Sequence, residues 1–155
     1  RVCVVLGAGG AGRAVASSLA AAGAAKVVLL NRSEERVQLA VSQLGEHQPD
    51  AQFEAGALEP ASMERWGADA GLVVNCLGSG AEGLVESLPI EVLEPEAIWV
   101  DINYWMDEPP RLAACAERGL ATSTGIGMLV HQAALSFELF TGHPVDPEEL
   151  RSVLK

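Results

Sequence analysis

Three glycines, Gly7, Gly9 and Gly12, stand in G-x-G-x-x-G register in LGAGGAGRA, directly after VCVVL. A glycine-rich turn leading from a strand into a helix presents backbone N–H groups at the positive end of the helix dipole. That arrangement holds phosphate. In this register Gly7 permits the tight turn, Gly9 lets backbone approach a pyrophosphate, and Gly12 lets the helix pack close to the sheet. Free N–H groups around Gly10 and Ala11 then point at the phosphates. The motif alone is weak. Between VCVVL and a helix, with a second apolar strand following, it indicates dinucleotide binding.

A second chemistry sits at the end of that next apolar run, in VVLLNRSEER. Dinucleotide-binding units usually carry an Asp or Glu here, accepting hydrogen bonds from the adenosine ribose hydroxyls. Asn31 removes that charge. Arg32 can lay its planar guanidinium against adenine and reach phosphate oxygens with paired donors. Ser33 offers a hydroxyl and a helix N-terminal N–H, and Arg36 follows one turn along on the same side. A carboxylate would repel a 2′-phosphate, so the set favours NADP over NAD. Glu34 and Glu35 read as solvated charges behind an N-cap.

Strands that must position these groups are expected near Val2–Leu6, Lys26–Leu30, Gln52–Ala55, Gly71–Asn75, Ile98–Asp101 and Ala121–Ser123. Helices are expected near Gly10–Ala22, Ser33–Leu44, Ala61–Trp66, Pro109–Glu117, Met128–Phe140 and Pro147–Leu154. Asp146 as N-cap, Pro147 in the first turn and Glu148 and Glu149 against the dipole mark the last start. The region Gly78–Pro95 is expected to be a loop with one helical turn. Alternating strands and helices with short connections give a doubly wound, mainly parallel α/β sheet, helices on both faces in three layers.

The chain has 155 residues, one domain's worth, and a formal net charge of −11. Lacking a basic run, it does not favour nucleic acid or an anionic membrane as partner, since both reward a cationic face. An anionic ligand must therefore be held by local devices. Cys3, Cys76 and Cys115 are scattered, as buried reduced thiols of a cytosolic protein would be, and Cys and His do not cluster as zinc ligands would. The missing initial Met, with a strand starting at the second residue, suggests a piece of a longer protein.

Three downstream stretches add detail: VVNCLGSG, WVDINYWMDEPPRL and TGIGMLVHQAALSFELFTG. The first two follow parallel strands, so their loops open at the carboxyl edge, where ligands bind in such folds. The third starts with Gly125 and Gly127, then carries Met128, His131, Gln132 and Leu135 at helical spacing. Together with GAGGAGRA, NRSEER and DINY, these stretches resemble the C-terminal, NADP-binding domain of the shikimate dehydrogenase family, over almost the whole chain.

The resemblance implies a Rossmann-like cofactor domain in residues 1–142. It implies that residues 143–155 would form a C-terminal helix packing toward an N-terminal substrate domain expected to precede Arg1. It implies NADP-dependent interconversion of 3-dehydroshikimate and shikimate, a step of aromatic amino-acid biosynthesis. Cofactor contacts would come from Gly7, Ala8, Gly9, Gly10, Ala11 and Gly12, from Asn31, Arg32, Ser33 and Arg36, and from Asn75, Ile102 and Gly125. Tyr104 and Gln132 would reach the substrate. The proton donor would be a lysine assisted by an aspartate on the other domain. This chain has two lysines, Lys26 at the far edge of the sheet and Lys155 at the chain end, so no catalytic residue is expected here.

His131 reads as a surface or core histidine, Met128 as core or as padding of the nicotinamide pocket, and Asp101 as a structural strand-end carboxylate. Asn75-Cys76-Leu77 replaces the family's Asn-Ala-Thr, Trp105-Met106 its Asn-Pro, and Pro109-Pro110 its Thr-Pro. These departures leave quinate- or aminoshikimate-type activity open. A non-enzymatic module sensing a nucleotide or metabolite is also open, and the last helix could mediate association such as a homodimer.

Overall fold

A computed structural model describes residues 1–104 and 109–153. Six strands form one sheet in the order β3-β2-β1-β4-β5-β6: β1 Val2–Leu6, β2 Lys26–Asn31, β3 Phe53–Ala57, β4 Ala70–Asn75, β5 Ile98–Asp101 and β6 Ala121–Thr124. All neighbours are parallel. The chain first winds outward from β1 to β3, then crosses back to lay β4 on the other side of β1. That reversal opens a crevice above the carboxyl ends of β1 and β4.

Strand alternation builds two cores. Val4, Leu6, Val28, Leu30, Val73 and Trp99 face one side, with Met63 and Trp66 of α3 (Pro60–Trp66), Val85 of α4 (Glu82–Glu86), and Leu112 and Cys115 of α5 (Pro110–Glu117). Cys3, Val5, Val27 and Leu29 face the other, against Ala16 of α1 (Gly10–Ala21) and Val37, Ala40 and Leu44 of α2 (Glu34–His47). The period of two along each strand assigns these faces. At the outer edge, all four residues of β6 remain exposed.

The expected elements are present with shifted ends. Strand β2 extends to Asn31, and β3 lies one to two residues later than expected. Helix α2 runs three residues further, to His47, and Ser33 is its cap rather than its first residue. Helix α6 starts at Ile126, not Met128, and ends at Thr141. The expected helical turn in Gly78–Pro95 is α4. Helix α7 spans Pro147–Val153, with Asp146 Oδ1 accepting from the Glu148 N–H at 2.9 Å. Leu154, Lys155 and Trp105-Met106 lie outside the described residues. No helix among those described is long and apolar enough to cross a membrane.

Candidate functional site

The carboxyl edge collects five segments: the turn after β1, the β2–α2 turn, the ends of β4 and β5, and the entry to α6. In the first, Gly7 has φ +105° and donates its N–H to the Leu30 carbonyl at 2.7 Å. A Cβ at Gly12 would collide with the Gly7 carbonyl oxygen, so the helix can approach this closely only without one. Gly9 and Gly10 instead face open space. Gly9 caps α1 without any side-chain hydrogen bond. The first N–H groups of α1, at Gly10 and Ala11, therefore sit at an open edge with the dipole behind them.

In the β2–α2 turn, Ser33 Oγ accepts from the Arg36 N–H at 3.4 Å and caps α2, whose first turn carries Glu34 and Glu35. Arg32 and Arg36 are exposed, and neither joins a salt bridge among the described residues. Two uncommitted guanidinium groups thus stand beside the glycine turn, with the neutral Asn31 between them and β1. Asn31 is half-buried; its Oδ1 faces the Ala8 N–H at 3.4 Å and its Nδ2 donates to the Ser33 carbonyl at 3.1 Å.

At the ends of β4 and β5, polar groups pair inward. Asn75 Nδ2 donates to Asp101 Oδ2 at 2.8 Å, and Asn75 Oδ1 accepts from the Leu77 N–H at 3.1 Å. Asp101 Oδ1 accepts from the Asn103 N–H at 2.9 Å, and Asn103 Nδ2 donates to the Leu77 carbonyl at 3.1 Å. Asp101 is thus a structural carboxylate, and Asn75 spends its side chain in the same network. Burial, then the Asp101 charge, pushes the Cys76 thiol up to about 12, leaving it a neutral packing group. A Cβ at Gly125 would collide with the Ile102 carbonyl, so the entry to α6 lies directly on the β5 loop. Ile102 and Gly125 are therefore adjacent at this edge.

The family model for shikimate / quinate 5-dehydrogenase matches residues 1–102, and that for the shikimate 5′-dehydrogenase C-terminal domain matches residues 125–155. The chain belongs to the shikimate/quinate 5-dehydrogenase family. It is 39% identical to the shikimate dehydrogenase (NADP(+)) of Symbiobacterium thermophilum, over 94% of this chain and 51% of that protein. With that of Rhodopseudomonas palustris strain HaA2 it shares 39%, over 98% and 52%. The Thermus thermophilus shikimate 5-dehydrogenase, solved with NADP(H) and shikimate, superposes with TM-score 0.71. It is 36% identical, with 94% of this chain and 51% of that one covered. The quinate dehydrogenase of Corynebacterium glutamicum, solved with NAD, gives 0.84 at 25% identity, covering 99% and 54%. The chain spans about half the length of the curated relatives it matches.

Within this member of the shikimate/quinate 5-dehydrogenase family, Tyr104 and Gln132 are both exposed, on the β5 loop and on α6. His131 is a surface residue whose Nδ1 lies 2.8 Å from its own helix's Gly127 carbonyl. Met128 is exposed and forms no part of the core. Two residues that the sequence left unmarked shape the edge. Asn103 ties Leu77 to Asp101, and it stood in the DINY stretch without a role. Arg111 is buried; it donates to the Val85 carbonyl at 2.9 Å and to the Glu86 carbonyl, and lies 5.9 Å from the Trp99 ring centroid. A buried arginine closing the end of α4 carries no motif. A lone arginine in the run PPRL gives no signal of it.

Proposed function

We propose that this chain is the NADP-binding half of a shikimate dehydrogenase-type oxidoreductase that interconverts 3-dehydroshikimate and shikimate. The observation carrying this reading is the neutral Asn31 followed by uncommitted Arg32 and Arg36, beside an open glycine turn. Gly7 to Gly12 surround the pyrophosphate, with the backbone N–H groups of Gly10 and Ala11 forming the cradle and Ala8 lining it. Arg32, Ser33 and Arg36 take the 2′-phosphate; the Ser33 hydroxyl can donate while its oxygen caps α2. The NADP(+) of the Symbiobacterium and Rhodopseudomonas shikimate dehydrogenases agrees with that set. The ends of β4 and β5 and the entry to α6, with Asn75, Ile102 and Gly125, form the nicotinamide end, and Tyr104 and Gln132 orient a polyhydroxy acid there. When bound, NADPH supplies the hydride.

The lysine that would donate the proton is not at this edge among the described residues: Lys26 opens β2, at the opposite edge of the sheet. A preceding substrate domain supplies it. Helix α6 offers that domain a surface, with Leu139 85% and Phe140 88% exposed, and Leu135 and Phe137 also outward. Apolar patches of this kind mark interaction sites.

The test is titration of the purified protein with NADPH and with NADH, for wild type and Arg32→Ala. A charge-assisted phosphate contact is worth about 1.5–3 kcal/mol, and the loss is expected with NADPH alone. Equal losses with both coenzymes, or none, sink the reading.

A further inference from the structure

Both ends of the Asn31 side-chain amide are engaged. Its Oδ1 lies 3.4 Å from the Ala8 N–H, inside the glycine turn, and its Nδ2 donates to the Ser33 carbonyl at 3.1 Å, inside the β2–α2 turn. The main chain beneath is fixed as well. The Asn31 carbonyl accepts from the Leu58 N–H at 3.2 Å, and Asn31 pairs with Ala57 across the β2–β3 ladder. Consecutive residues of the glycine turn thus bond to consecutive residues ending β2: Gly7 to the Leu30 carbonyl at 2.7 Å, then Ala8 to Asn31. The amide projects from a rigid strand end and grips a turn on each side.

The two turns have separate tasks on one ligand. The pyrophosphate and the 2′-phosphate are joined through a single ribose, so their separation is limited and the protein must match it. A spacer between the turns sets that match before the ligand arrives, and preorganisation of this kind raises affinity by sparing ordering entropy. We propose that Asn31 is a positioning residue that fixes the spacing between the pyrophosphate turn and the 2′-phosphate turn, while Arg32, Ser33 and Arg36 make the direct phosphate contacts. This inference rests on the nucleotide-binding reading above.

The amide is suited to the task in a way that its neighbours in type are not. Aspartate could still accept from the Ala8 N–H but could not donate to the Ser33 carbonyl. Its negative charge would also face that oxygen. An Asn31→Asp exchange therefore adds a repulsive charge and releases the second turn at the same time. Alanine releases both turns.

A residue touching only the 2′-phosphate would lose affinity for NADPH alone on truncation, as is expected of Arg32→Ala. A spacer that steadies the glycine turn loses affinity for both coenzymes. The experiment is titration of wild type, Asn31→Ala and Arg32→Ala with NADPH and NADH, together with amide hydrogen exchange at Ala8 in the free protein. Asn31→Ala is expected to weaken NADH binding about three- to tenfold, the range of one neutral hydrogen bond, and NADPH binding at least as much. Its Ala8 amide should exchange faster than in wild type. A loss confined to NADPH, or unchanged Ala8 exchange, overturns the proposal.

If Asn31→Ala does not fold, Asn31→Asp carries the test. It should keep Ala8 protected while NADPH affinity falls further than in Arg32→Ala; loss of Ala8 protection there overturns the proposal. Failure of the underlying reading looks different. Wild type would then show no preference for NADPH and Arg32→Ala no effect, while the NADH and Ala8 comparisons still report on the spacer.

Discussion

Asn75 and Asp101 end adjacent parallel strands and meet through a 2.8 Å hydrogen bond in the interior, 4% and 3% exposed. Asn75→Ala removes this donor from a buried carboxylate and leaves the Leu77 N–H without its acceptor at 3.1 Å. The Asn103 N–H remains on Asp101. Losing a bond to a buried charge and one backbone partner should cost about 2–4 kcal/mol. Urea unfolding of the variant measures it. A change under about 0.5 kcal/mol, the size of an ordinary surface effect, would deny the pair a structural role.

The glycine turn separates fold from binding. Gly12→Ala forces a Cβ into the Gly7 carbonyl, a backbone atom that cannot swing aside, so a loss of about 3 kcal/mol or more is expected. Gly9→Ala meets open space; its melting temperature should stay near wild type, while its methyl group would stand where the proposed function brings the pyrophosphate. Thermal melts paired with NADPH titration test the contrast. Equal melting temperatures for the two variants would contradict it.

Most of the fold was legible because β1 and β2 are solidly apolar and the turns after them carry glycine and Asn-Arg-Ser. The helix starts at Ser33-Glu34 and Asp146-Pro147 followed capping rules, and the cap bonds are present. What stayed hidden depends on long-range pairing. The commitment of Asn31 to Ala8 spans 23 residues, that of Asn103 to Leu77 26, and that of Arg111 to Val85 26. Such bonds leave no periodic trace. The core reading of Met128 failed because helical spacing alone marks a stripe, not which side is covered, and α6 has only Val130 and Ala134 buried.

Thiol chemistry gives a third prediction. Burial raises the Cys76 thiol to about 12 and the Cys115 thiol to about 11, and Cys3 shifts the same way. At pH 8 a thiol near 12 is ionised in about one molecule in ten thousand, and thiolate is the reactive form. Native protein should therefore label very slowly with a disulfide reagent and denatured protein at all three cysteines. Because the folded values are raised, this contribution to stability is complete below the unfolded thiol value. It is lost as pH climbs toward the folded values. Rapid native labelling of Cys76 would contradict the assignment.

Phe140 and Leu139 are almost fully exposed on α6. Phe140→Ser and Leu139→Ser should change stability by no more than about 0.5 kcal/mol. The 155-residue chain should bind NADPH and turn over no shikimate, since no lysine is placed at its carboxyl edge among the described residues. Joined to a substrate domain, the same two substitutions should lower activity by loosening the docked surface. Robust turnover by the chain alone would contradict this picture.

In the proposed function, coenzyme choice depends on a 2′-phosphate seated between the glycine turn and α2. A crystal grown with NADP tests that placement most directly. Density for the phosphate within about 3 Å of the Arg32 guanidinium is the predicted result. An ordered coenzyme whose 2′-phosphate points to solvent, away from Arg32, Ser33 and Arg36, would contradict it.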